Sequence, residues 1–72
     1  MQRVDITSEY ITLAAFLKFC GAADSGGQAG ALVAEGRVSV NGQLCRQRGK
    51  KLRAGDVVAL DGQTYEVCAP CI

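Results

Sequence analysis

Apolar residues recur along the chain with two different periods, and the change between them divides the sequence. Leu13, Phe16, Leu17 and Cys20 stand at i, i+3, i+4 and i+7, one stripe of an amphipathic helix. Thr12 is placed to cap its start and Gly21 to stop it, and Lys18 near its end suits the helix dipole. After a connector, Ala22-Ala23-Asp24, the same spacing returns at Ala29, Leu32, Val33 and Gly36. Ser25 and Gln28 have the S-x-x-Q form of a capping box. Gly36 reads as the stop of this second helix. Gly26, Gly27 and Gly30 are poor helix formers, about 1 kcal/mol each against Ala, so they ask for a reason. Close approach of another backbone or of a phosphate would be one.

Beyond Gly36 the period becomes two. Val38 and Val40 share a face opposite Ser39, and Asn41-Gly42 is a strong hairpin signal. The return strand is expected around Gln43 to Gln47 and is short. A polar loop follows, then the turn Ala54-Gly55-Asp56, the apolar run Val57 to Leu60, a second hairpin signal at Asp61-Gly62, and a last strand through Tyr65-Glu66-Val67. The first residues, to about Thr7, show no clear pattern and read as a tail or a short edge strand. The expectation is an α+β fold: two N-terminal helices packed on a small, mostly antiparallel sheet. The expected division is an N-terminal segment over 1–10, a domain over 11–67 and a C-terminal tail over 68–72. No internal repeat and no low-complexity segment interrupts it.

Length changes the picture by making stability scarce: 72 residues hold one small core. With no Trp, two Phe and two Tyr, aliphatic residues and Ala must build it. No apolar run approaches the roughly 18 residues of a membrane span. The opening MQRVDITSEY carries acids and no apolar segment, so it does not read as a signal peptide, and the expected location is cytoplasmic.

Charge changes it more. Six basic residues and no acid lie between Arg37 and Arg53, whereas the rest holds Arg3 and Lys18 against all seven acids. A chain of net charge +1 therefore carries one strongly positive block. Its centre is CRQRGKKLRAGD, Cys45 to Asp56, with Arg46, Arg48, Lys50, Lys51 and Arg53 around Gly49. Clustered Arg and Lys neutralise phosphates and release counterions, and Arg adds bidentate geometry.

These residues together resemble the S4 RNA-binding domain. The resemblance runs from Ile11 to about Leu60, through LAAFLKFCG, ADSGGQAGALVAEGRVSVNG and KKLRAGDVVAL. It rests on Ser25, Gln28-Ala29, the run Gly36-Arg37-Val38-Ser39-Val40-Asn41-Gly42, and Leu52 ahead of Gly55-Asp56. The overall size, and RGKKL before the Gly-Asp, are similar to stand-alone bacterial S4-like proteins. The resemblance implies the S4 arrangement, or alpha-L motif, in which two helices and the following turn dock on structured RNA such as rRNA or tRNA. S4 domains usually carry basic residues near the start of the first helix and in the second. Here Thr12-Leu13-Ala14 and Gly26 to Gly30 hold none, and the charge sits in the loop after the hairpin.

The expected RNA-binding residues are Arg37, Arg46, Arg48, Lys50, Lys51 and Arg53. They are flanked by Ser25 and Gln28 at a helix N-terminus that offers backbone N–H groups to phosphate, and by Asn41 in the turn. Ser25 and Gln28 also read as a plain cap, and Asn41 as a plain turn residue. Tyr10 and Tyr65 are candidates for stacking on bases, Tyr65 more readily for the core. The alternative function is a protein-interaction module whose basic loop meets an acidic protein surface.

No catalysis is expected. Without His there is no Ser-His or Cys-His pair, no G-x-x-x-x-G-K-[ST] loop occurs, and the acids are scattered. Of the four cysteines, Cys68 and Cys71 form a C-x-x-C after the last strand, with no βαβ pattern around it. Cys20 and Cys45 lie too far apart in sequence to make a zinc knuckle. No cofactor or metal is expected, and in a reducing compartment the cysteines read as thiols.

Overall fold

The computed structural model describes residues 1–68. Its elements are β1 (Gln2–Asp5), β2 (Ile11–Thr12), α1 (Leu13–Phe19), α2 (Gly26–Ala34), β3 (Val38–Val40), β4 (Gln43–Leu44), β5 (Lys51–Leu52), β6 (Val57–Leu60) and β7 (Gln63–Cys68). Five strands form one sheet in the order β1-β7-β6-β3-β4. Every pairing in it is antiparallel except β1 with β7, where Gln2 to Asp5 run beside Tyr65 to Cys68. The architecture is α+β, with two helices and a mixed, mostly antiparallel sheet.

The helices form because their stripes have somewhere to go. Leu13, Phe16 and Leu17 of α1 and Ala29, Leu32 and Val33 of α2 are buried in one cluster with Val38, Val40, Val58, Leu60, Tyr65 and Val67 from the sheet. Tyr65 meets Phe16 edge to face, ring centres 6.3 Å apart, so it belongs to the core. Among the described residues, no polar or charged residue is buried. Both hairpin signals are realised as turns with positive φ at both central residues, Asn41-Gly42 and Asp61-Gly62. That geometry matches the twist of the flanking strands.

Three local expectations are corrected. The helices do not open the chain, because β1 and β2 precede them. Of the two readings of the first residues, the structure shows the edge strand, and the segment 1–10 also supplies the buried Ile6. Four residues with two exposed edge-strand faces leave too little apolar alternation to be read. The return strand stops at Leu44, short of Gln47. And the basic loop is not uniformly irregular: β5 pairs with β2, Ile11 opposite Leu52 and Thr12 opposite Lys51. Two-residue strands formed by distant segments carry no local period. The C-x-x-C pair reaches Cys71, outside the described residues.

Candidate nucleic-acid interface

The basic stretch leaves β4 and crosses both helices before it reaches β6. Its path is fixed by backbone hydrogen bonds. The N–H groups of Leu13 and Ala14, which open α1, donate to the carbonyls of Lys50 (2.8 Å) and Arg48 (3.0 Å). The first N–H groups of a helix have no partner inside it, and the expected capper, Thr12, makes no side-chain bond to them. The loop itself caps α1. A turn at Gln47–Lys50, closed by Lys50 N–H on Gln47 O (3.1 Å), reverses the chain above the helix. Leu52, fully buried, anchors the far end.

The same path carries the arginines over α2. Arg48 lies on Gly30, where a Cβ would stand 3.3 Å from Nη1, and Arg46 lies on Gly36, where a Cβ would stand 3.2 Å from Nε and Nη2. Gly30 therefore has the close neighbour that its low helix propensity asked for, and that neighbour is a guanidinium. Nothing comparable explains Gly26 and Gly27, which no such group approaches. Lys51 completes the surface with its ammonium 4.9 Å from the ring centre of the exposed Tyr10, a cation–π contact. The loop thus caps α1 through its carbonyls and lays Arg48 on α2 and Arg46 just past its end.

The expected site residues divide on this geometry. Arg46, Arg48, Lys50, Lys51 and Arg53 are exposed. Among the described residues, the ion pairs recorded are those of Arg3 and Arg37, so none of these five is neutralised by a carboxylate. Arg37 is engaged: Nη2 and Nε bond Asp61, the Nε contact being 3.3 Å, and Nη1 lies 3.6 Å from Glu35. The Asp61 hydrogen bonds hold its pKa above the ordinary guanidinium value. Ser25 is engaged as a cap, its Oγ accepting from Gln28 N–H at 3.2 Å. Gln28 reaches back one residue further than a capping box, its Oε1 accepting from Asp24 N–H at 2.6 Å.

Asn41 faces inward. Its Nδ2 donates to Asp56 Oδ1 (3.1 Å) and its Oδ1 accepts from Val57 N–H (2.9 Å). Asp56 also accepts from Arg53 N–H at 2.8 Å. One Asn and one Asp clasp the β3–β4 turn to the turn before β6, and so hold the end of the basic loop. Sequence reasoning missed this clasp, although Asn41-Gly42 and Gly55-Asp56 were both noted as turns. It also missed Gln43, Leu44 and Gln47, which line a surface groove with Arg46 and Lys50.

A small α+β domain of two helices and a mixed, mostly antiparallel sheet fits the S4 class, and the family model for the S4 domain matches residues 4–68. The chain belongs to the S4 domain family. Compared with the sequence resemblance over 11–60, that match takes in Ile6 and β7. The chain is 42% identical over 59 residues to the probable ribosome maturation protein RlbA of Bacillus subtilis (strain 168), across 82% of this chain and 83% of that protein. Among solved structures, the 30S ribosomal protein S4e of Thermoplasma acidophilum superposes with a TM-score of 0.63 at 23% identity over 83% of this chain. This chain spans about a third, 32%, of that protein, and the likeness is one of fold.

Proposed function

We propose that this protein binds structured RNA, rRNA or tRNA, in the cytoplasm and performs no chemistry of its own. The observation that carries the reading is the basic loop held across α1 and α2. Its five exposed cations are spread over a rigid support and are not matched by carboxylates among the described residues. Family membership supports it, as does a relative whose name is that of a ribosome maturation protein. Contacts to about five phosphates alone give weak, salt-sensitive binding, Kd ~10⁻⁴–10⁻⁶ M at physiological salt. Tighter binding then depends on the fit of the two-helix platform to a folded RNA. Helices with few cations of their own favour an acidic protein partner, whereas Arg48 lying on Gly30 of α2, and Arg46 on Gly36 just past it, support the RNA reading.

The test is fluorescence anisotropy with a structured RNA, a single-stranded RNA and duplex DNA at several salt concentrations. The wild type should bind at micromolar concentration or tighter and prefer structured RNA. A variant with Arg48, Lys50 and Lys51 changed to Glu should lose the binding while keeping its circular dichroism. No binding by folded wild type at low salt would refute the reading, and an acidic protein partner would be sought instead.

A further inference from the structure

The β3–β4 hairpin and the first half of the basic loop enclose an open groove of about 510 Å³. That volume falls within the range of about 300–1,000 Å³ typical of small-ligand sites. Its walls have an unusual mixture. Leu44 stands 57% exposed on β4, one of the two edge strands of the sheet. Gln43 and Gln47 add two exposed amides. Asn41's amide is committed to Asp56 and Val57, but among the described residues those of Gln43 and Gln47 have no hydrogen-bond partner. Arg46 and Lys50 stand at the rim, and Arg46 is seated on Gly36, where no Cβ intrudes.

One chemical object needs this combination: a flat apolar face, an edge of donors and acceptors, and an attached anion. An unpaired nucleotide has all three. Its face packs on Leu44. Its Watson–Crick or Hoogsteen edge meets the donor and acceptor of a Gln amide. Its phosphate meets Arg46 or Lys50. An apolar peptide fits less well, since Leu44 is the one large exposed apolar side chain in the groove and cations stand at its rim.

We propose that this groove receives one unpaired nucleobase of the bound RNA, so that the protein distinguishes an RNA with an extruded nucleotide from an uninterrupted helix. The proposal rests on the RNA-binding reading above and adds to it a point of recognition separate from the phosphate-binding cations.

The experiment uses two RNA hairpins with the same stem, one uninterrupted and one with a single unpaired 2-aminopurine. Anisotropy reads affinity and 2-aminopurine fluorescence reads the environment of the base. The wild type should bind the interrupted hairpin on the order of 10-fold more tightly and change the fluorescence. Gln43→Ala combined with Gln47→Ala, and separately Leu44→Ser, should abolish that preference while leaving affinity for the uninterrupted hairpin. Equal affinity of the wild type for both hairpins overturns the groove while RNA binding stands. A preference that survives in both variants also overturns it, since the base then sits elsewhere. Binding to neither hairpin at low salt overturns the RNA reading itself, and the groove with it.

Discussion

Gly30 and Gly36 show what a single missing methyl decides. At Gly36 two demands coincide: φ is +75°, and Arg46 occupies the space a side chain would take. Gly36→Ala should destabilise the fold by about 1–2 kcal/mol, read as a lower urea midpoint. Gly30 lies inside α2, and the group it meets is the movable end of Arg48. Gly30→Ala should therefore gain about 1 kcal/mol of helix propensity while shifting Arg48 by a few tenths of an ångström. The expected result is a higher urea midpoint with weaker RNA binding, a divergence that a purely structural glycine would not produce.

Cys20, half-buried at the end of α1, is a second case. Burial pushes its thiol pKa up, against hydrogen bonding that favours the thiolate. A raised folded-state pKa means full stabilisation below the unfolded thiol's value and loss as pH rises through the folded one. Thermal stability should accordingly fall above about pH 8.5, and Cys20→Ala should show a shallower fall over the same range.

At the scale of elements, the basic loop is part of the fold, because it supplies the N-terminal cap of α1 and, through β5, the partner of β2. Leu52 holds it there. Leu52→Ala should cost about 2–5 kcal/mol and free the loop before the sheet is lost. Hydrogen exchange tests this directly: the Leu13 and Ala14 amides should exchange faster than those of β6 and β7. RNA binding should weaken even where the remaining fold is intact, since the cations would lose their support. The coupling also explains the short first helix. Its N-terminus is defined by the carbonyls of Lys50 and Arg48, about 35 residues later in sequence, and not by Thr12.

At the scale of the whole molecule, the near balance of charge conceals a division of labour. Arg3 faces Glu66 at 3.9 Å, and Arg37 is shared between Asp61 and Glu35. Those pairs set acids and bases against one another, whereas among the described residues the loop cations have no carboxylate partner. Salt titration should separate the two groups. Arg48→Ala should reduce the slope of log affinity against log salt by about 1, whereas Arg37→Ala should leave the slope unchanged.

Much of this was legible in the chain. The stripes of α1 and α2, the Val38–Val40 strand, both Gly-containing turns and the S4 pattern are local, because each depends on residues within a turn or a strand of one another. So is the positive block, which needs only a count. Other features were not legible. Gly30's neighbour is Arg48, α1's cap is Lys50 and Arg48, Asn41's partner is Asp56, and Arg37's is Asp61; every one of these pairs joins residues at least 15 apart. The sequence by itself determined the two helices, the Val38–Val40 and Val57–Leu60 strands and the two hairpin turns, and that the cations sit in one stretch, but not β2 or β5. Only the tertiary structure decided which cations are free, which polar side chains are already engaged, and that the loop lies over the helices. Periodicity and propensity act over a few residues, whereas hydrogen bonds and ion pairs depend on which distant segments packing brings within about 3 Å.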